Sequence, residues 1–133
     1  MERVAIVDYK LCNLDSVQRA FETLGAQAFI TDDPADLARA DRIVLPGVGA
    51  FPDAMRNLRA AGLDEGLGEH VLEGGAPFLG VCLGMQLIAA IGHEVEDTKG
   101  LGWIDARVSR LEPTEQDRRI PHVGWNEVRA VRE

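Results

Sequence analysis

Five residues, Gly80-Val81-Cys82-Leu83-Gly84, set a cysteine between two glycines, after a short apolar run and before a helix-forming stretch. Gly-x-Cys-x-Gly in that position is the cysteine form of the nucleophile elbow, where a strand turns abruptly into a helix and lifts a reactive side chain above the sheet edge. The glycines are required because a Cβ would clash in so tight a turn. A cysteine at the amino end of a helix also gains thiolate character from the positive helix end. The competing assignment is packing, the commoner fate of a free cysteine. These five residues alone leave both assignments open.

A thiolate attacking an acyl carbon creates an oxyanion, and each donor already aimed at that charge is worth about 3–4 kcal/mol. The N–H of Leu83, just after the nucleophile, is one candidate donor. Pro46-Gly47-Val48-Gly49 is the candidate for the second, because its glycines permit close approach and a reoriented peptide. Taken alone, the same four residues read as an ordinary turn between strand and helix. Gln86 lies four residues past Cys82, on the same helix face. It can donate and accept, which suits an amide or an amino-acid head group, or it is simply solvated.

The elements that would bring these segments together follow from the pattern. Residues 3–8, 27–30, 42–45 and 77–81 are short apolar runs of the kind that form buried parallel strands. Between them, Leu14, Val17, Phe21 and Leu24 make one apolar stripe, with Asn13 as N-cap and Gly25 as stop. Asp32-Asp33-Pro34 opens a short helix to Ala40, Phe51, Ala54, Met55 and Leu58 share a face, and Leu63 to Leu72 reads as a further helix ended by Gly74-Gly75. The helix after Cys82 is expected to reach about Ile91, and residues 93–100 read as loop. Residues 103–111 alternate, residues 121–131 look extended, and the charged stretch between them reads as a turn or hairpin tip. Strands alternating with helices predict an α/β fold with a mainly parallel sheet covered on both faces, and ligands there bind at the carboxyl ends of the strands. The loops after strands one, three and four converge on that edge, which favours the functional reading of Cys82.

Composition bounds the rest. The 133 residues suffice for one domain with a real core, 46% being hydrophobic and 27% charged. No apolar run is long enough to span a bilayer, and the first residues do not resemble a signal peptide. Fourteen basic against 22 acidic residues, net −8, argue against a nucleic-acid surface. Two distant cysteines make neither a zinc site nor a disulfide framework, which fits a cytoplasmic setting.

LPGVGAF (45–51), GVCLGMQL (80–87), GLGWI (100–104) and PHVGWNEV (121–128), with DYKLCNLDSVQRAF (8–21), run in order along the whole chain. Together they resemble the glutaminase subunit of imidazole glycerol phosphate synthase, a class I, triad-type glutamine amidotransferase of flavodoxin-like α/β fold. Met85 before Gln86, Val48 between two glycines, and the H-V-G-W-N string carry the resemblance to this member rather than to the superfamily at large. The resemblance implies that Cys82 attacks the side-chain amide of glutamine and that the thioester is hydrolysed to glutamate. Val48, Gly49 and Leu83 would surround the oxyanion, and Gln86 and Gly47 would hold the substrate. Ammonia would pass to a (β/α)8-barrel cyclase subunit, with Asn13, Trp125 and Asn126 toward that partner. Neither a metal nor an organic cofactor is implied.

Two departures qualify this. Cys12 stands where the family usually has a small residue, and reads as a partly buried thiol. The family places its triad His and Glu in a downstream H-P-E element that residues 1–133 do not contain, and His70, His93 and His122 read as structural or solvated. The chain is therefore expected to be the amino-terminal two-thirds of the domain, exposing apolar surface. Another class I amidotransferase, or a non-catalytic remnant with this fold, remains the alternative. Because a triad without its base loses orders of magnitude in rate, the chain is predicted to lack normal glutaminase turnover. Glutamate release with a synthase partner at the rate of an intact enzyme would refute this.

Overall fold

The computed structural model describes residues 1–132. Four strands, β1 (Arg3–Val7), β2 (Gln27–Thr31), β3 (Arg42–Leu45) and β4 (Phe78–Gly80), form one sheet in the order β2-β1-β3-β4, all parallel. Val4 to Val7 are all buried, as a central strand covered on both faces requires. Side chains alternate across such a strand. Val4 and Ile6 therefore meet Leu14, Val17 and Phe21 of helix α1 (Leu14–Thr23) on one side. Ala5 and Val7 meet the larger core on the other, with Leu37, Ile43 and Leu45.

Helix α2 (Phe51–Ala60) supplies Phe51, Ala54, Met55 and Leu58 to that larger core, all essentially inaccessible. The 3-10 helix Pro34–Arg39 starts with the Asp33 side chain accepting from Ala35 N–H, as the Asp-Asp-Pro sequence predicts. Gly25 follows α1 in the left-handed conformation of a helix stop. Asn13 precedes α1, but its side chain bonds no backbone N–H and instead accepts from Ser16 Oγ at 3.3 Å.

Three expectations are corrected. The helix read over 63–72 is α-helical only in α3 (Leu63–Leu67) and widens into a π-turn over Gly68–Glu73, closed by Gly74 N–H on Glu69 O at 2.8 Å. The helix after Cys82 is a single turn, α4 (Leu83–Gln86), and the chain then becomes strand β5 (Ala89–Gly92). With β6 (Thr98–Lys99) and β7 (Ile104–Val108), β5 forms a second, mixed sheet in the order β6-β5-β7. The carbonyls that would continue the helix are taken: Leu87, Ile88, Ala89 and Ala90 accept from Leu101, Trp103, Gly102 and Gly100. Gly100 permits this approach because a Cβ there would run into the Ala89 carbonyl oxygen, and both Gly92 and Gly100 lie against the Phe51 ring. Third, residues 121–131 form no strand and are exposed, so the Thr114–Asp117 turn is not the tip of a hairpin.

The edge of the first sheet is left open at β4, where Leu79 is 51% exposed. Trp103 meets Phe78 edge-to-face at 4.8 Å and ties the two sheets together.

At the opposite end of the strands, Arg3 grips Asp41 through two guanidinium nitrogens and its own N–H, and Arg42 grips Glu2 likewise through two nitrogens. The Arg3 guanidinium holds the Asp41 carboxyl at about 2, against about 3.9 for an unfolded aspartate. A depressed carboxyl stabilises the fold above its unfolded value and stops doing so as the pH falls through its folded value. Asp41→Asn is therefore expected to flatten the dependence of stability on pH between about 4 and about 2. Urea unfolding across that interval checks this, and an unchanged slope would contradict it.

Candidate active site

The elbow is built by contacts that exclude side chains. Val81 N–H donates to Leu45 O at 3.0 Å, extending the β3–β4 pairing by one residue before the chain turns. A Cβ on Gly80 would lie 2.8 Å from Met85 Cα, and one on Gly84 would collide with the Leu45 carbonyl. Between them Cys82 takes φ 55°, ψ −118°, a strained conformation for a residue with a side chain, costing about 1–3 kcal/mol. Gly84 N–H on Val81 O, and Met85 and Gln86 N–H on Cys82 O, hold it there at 3.0–3.2 Å. Leu83 and Gly84 are buried while Cys82 is exposed. The packing assignment therefore fails for Cys82. It suits Cys12, whose partly buried Sγ lies 3.6 Å from Val7 O and whose thiol is pushed up by burial. Because α4 has four residues, and the N–H groups of Leu83, Gly84, Met85 and Gln86 all have backbone acceptors, the helix-end argument for the thiolate is weaker than the sequence suggested.

The Pro46–Gly49 segment lies alongside the elbow, but its central peptide faces away from the expected direction. Gly47 O accepts from Leu83 N–H at 3.3 Å, and Val48 N–H donates to Leu11 O at 2.7 Å. The Leu83 and Val48 N–H groups are thus committed to protein partners. The arrangement follows from satisfaction of buried backbone: Leu11 O needs a donor, Leu83 N–H needs an acceptor, and one peptide serves both. Gly49 has φ +121°, which favours glycine, and Val48 is 55% exposed.

Two residues at this edge escaped the sequence reading. Tyr9, 1% exposed, donates its hydroxyl to Pro46 O while its own carbonyl accepts from Asn57 Nδ2 at 2.9 Å. Burial pushes the phenol up, and the Cys12 and Cys82 thiols act in the same direction, so it stays a neutral donor. The only sequence signal was its position, an aromatic hydroxyl at the end of the first strand. Glu94 accepts from Phe51 N–H at 2.9 Å and so caps α2, whose preceding residue Ala50 has no side chain able to do it. A contact across 43 positions leaves no local signal.

A cavity of about 690 Å³ opens beside the elbow, with Gly49, Cys82, Leu83 and Gln86 on its wall. Glu94, Arg110 and His122 also line it. His93 Nδ1 is 2.7 Å from Asp97 Oδ1, and His122 Nε2 is 2.8 Å from Asn126 Nδ2. His70 lies in the π-turn. Among the described residues no histidine hydrogen-bonds Cys82. Trp125 is fully exposed, Asn13 is exposed, and no hydrogen bond links Asn13 to Trp125 or Asn126 among the described residues. No helix is long and apolar enough to cross a membrane among the described residues.

The elbow geometry gives a direct test. Gly84→Ala drives a methyl into the Leu45 carbonyl, and overpacking of this kind costs about 1–3 kcal/mol. The variant is expected to unfold at lower urea concentration than wild type, whereas Gly124→Ala, with open space around it, is not. Equal midpoints for the two variants would contradict the steric account.

The profile of the family Glutamine amidotransferase class-I matches residues 5–130. The chain is 49% identical over 137 positions to imidazole glycerol phosphate synthase subunit HisH 2 of Nitrobacter winogradskyi, covering 100% of this chain and 65% of that protein. It is 46% identical over 130 positions to subunit HisH 1 of Campylobacter jejuni, covering 98% and 64%. It thus spans just under two thirds of the length of these relatives. A solved glutamine amidotransferase superposes with a TM-score of 0.66 at 20% identity, covering 77% of this chain and 54% of that one, a likeness of fold. The α/β architecture, the elbow and the matched residues agree, and the chain belongs to the class-I glutamine amidotransferase family.

Proposed function

We propose that the chain is the nucleophile-bearing part of a glutaminase subunit of imidazole glycerol phosphate synthase. The observation that carries this is the strained, exposed Cys82 with the Pro46–Gly49 segment beside it, in a chain 49% identical to a HisH protein. The Cys82 thiolate attacks the δ-carbon of glutamine and the carbonyl becomes an oxyanion. When it collapses the C–N bond breaks, the leaving nitrogen takes a proton from the base, and ammonia departs. Water then cleaves the γ-glutamyl thioester, giving glutamate and the free thiol.

The oxyanion needs donors, and rotation of the Gly47–Val48 peptide would exchange the Gly47 carbonyl for the Val48 N–H beside Leu83 N–H. Gly47 and Gly49 make that rotation sterically accessible. Gln86 and Gly47 hold the substrate within the cavity. Among the described residues, none of His70, His93 and His122 hydrogen-bonds Cys82, so the base is assigned to the H-P-E element that the family places downstream.

Ammonia passes to a (β/α)8-barrel cyclase subunit in the cytoplasm, with Asn13, Trp125 and Asn126 toward that partner. Direct transfer makes chemical sense because ammonia near neutral pH is mostly protonated and no longer nucleophilic. The reading is tested by labelling with a diazoketone analogue of glutamine. Cys82 is expected to be alkylated, free glutamine to protect it, and Cys82→Ala to abolish labelling. Labelling that free glutamine leaves unaffected would refute the glutamine reading.

A further inference from the structure

We infer that Tyr9 is a positioning residue that anchors the segment carrying the second oxyanion donor. The inference rests on the glutamine reading of Cys82. Three contacts converge on it. The Tyr9 hydroxyl donates to Pro46 O, immediately before the peptide that must turn. The same hydroxyl fills the space a side chain on Gly47 would occupy, since a Cβ there would collide with it and lie 3.0 Å from the ring carbon beneath. The Tyr9 carbonyl is itself held by Asn57 of α2, the helix that the segment leads into.

The segment is therefore anchored at Pro46 by a buried side chain, while the Gly47–Val48 peptide is held by single backbone bonds to Leu83 N–H and Leu11 O. With Pro46 O held, the turn from carbonyl-inward to N–H-inward is confined to Gly47–Gly49. Val48 N–H leaves Leu11 O and arrives beside Leu83 N–H, and the segment does not drift from Cys82. Without the hydroxyl, Pro46 O loses its donor and the new N–H is no longer held at a fixed distance from the elbow. Tyr9 touches neither substrate nor the reacting atoms in this arrangement, so its effect falls on the rate of the acyl-type step and not on thiol reactivity as such.

The test compares two electrophiles on Cys82 in Tyr9→Phe, which keeps the ring, with peptide-resolved mass spectrometry to separate Cys82 from Cys12. The glutamine analogue for this test is the p-nitrophenyl γ-ester of glutamate, which acylates Cys82 through an oxyanion and expels p-nitrophenolate, whereas iodoacetamide alkylates the thiol by displacement of iodide and forms no oxyanion. The maximal rate with the analogue is expected to fall about tenfold, the scale of one lost bond to a buried acceptor. Its half-saturating concentration and the iodoacetamide rate are expected to stay as in wild type. A fall shared equally by both reagents, or no fall with either, would overturn the inference.

A double variant supplies the second measurement. Gly47→Ala should slow the analogue strongly by driving a methyl into the Tyr9 hydroxyl, and adding Tyr9→Phe should slow it no further, because it removes the hydroxyl that both the clash and the Pro46 contact depend on. Fully additive losses would overturn the inference. Wild-type protein that reacts with iodoacetamide but ignores the analogue would instead overturn the glutamine reading, and this inference with it.

Discussion

The Leu45 carbonyl holds the candidate site together. It accepts the Val81 N–H that closes the β3–β4 pairing, and its oxygen occupies the volume that any side chain at position 84 would need. Leu45 itself is wholly buried in the larger core and paired with Gly80 in the ladder, so it has no freedom to yield. The turn from strand to helix must be made in two residues, Val81 and Cys82, against this fixed point. The only chain that fits has glycine on both sides and a strained residue between them. The exposure and backbone strain of Cys82 are thus consequences of sheet register, set by core residues on β3 that never approach a substrate.

The same logic extends along the carboxyl edge. The loop after β1 contributes Tyr9 and Leu11, and each holds one end of the Pro46–Gly49 segment, the first by a hydroxyl and the second by a carbonyl. The segment in turn lends Gly47 O to Leu83 N–H. Three loops that are far apart in sequence are therefore linked by hydrogen bonds through the peptide that would have to move. The bonds that keep the resting arrangement are individually modest, on the order of 1 kcal/mol net each. Reorientation of one peptide is thus within reach of the energy that a bound anion could supply.

The sequence disclosed those parts whose cause is local. β-Branched runs marked the parallel strands, the i, i+3, i+4 spacing marked the buried face of α2, and paired glycines marked the elbow. It misled where a distant segment claimed the backbone. Ala89-Ala90-Ile91 has helical character of its own, and only the docking of residues 100–103 onto its carbonyls makes it a strand. The Glu94 cap on Phe51 and the Tyr9 anchor on Pro46 were illegible for the same reason. The orientation of the Gly47–Val48 peptide was beyond sequence reasoning altogether, because glycine is what allows both orientations.

Phe51, Gly92 and Gly100 come from three different elements yet share one volume, the ring lying against both glycines. In evolutionary terms the three positions form a lock with a fixed order of opening. At position 92 the obstacle to a methyl group is the Phe51 ring, so a relative with alanine there should first have acquired a smaller residue at 51. Position 100 has no such route, because the Ala89 carbonyl blocks it whatever stands at 51. Drift in this family should therefore show substitutions at 51 and 92 travelling together while 100 stays glycine.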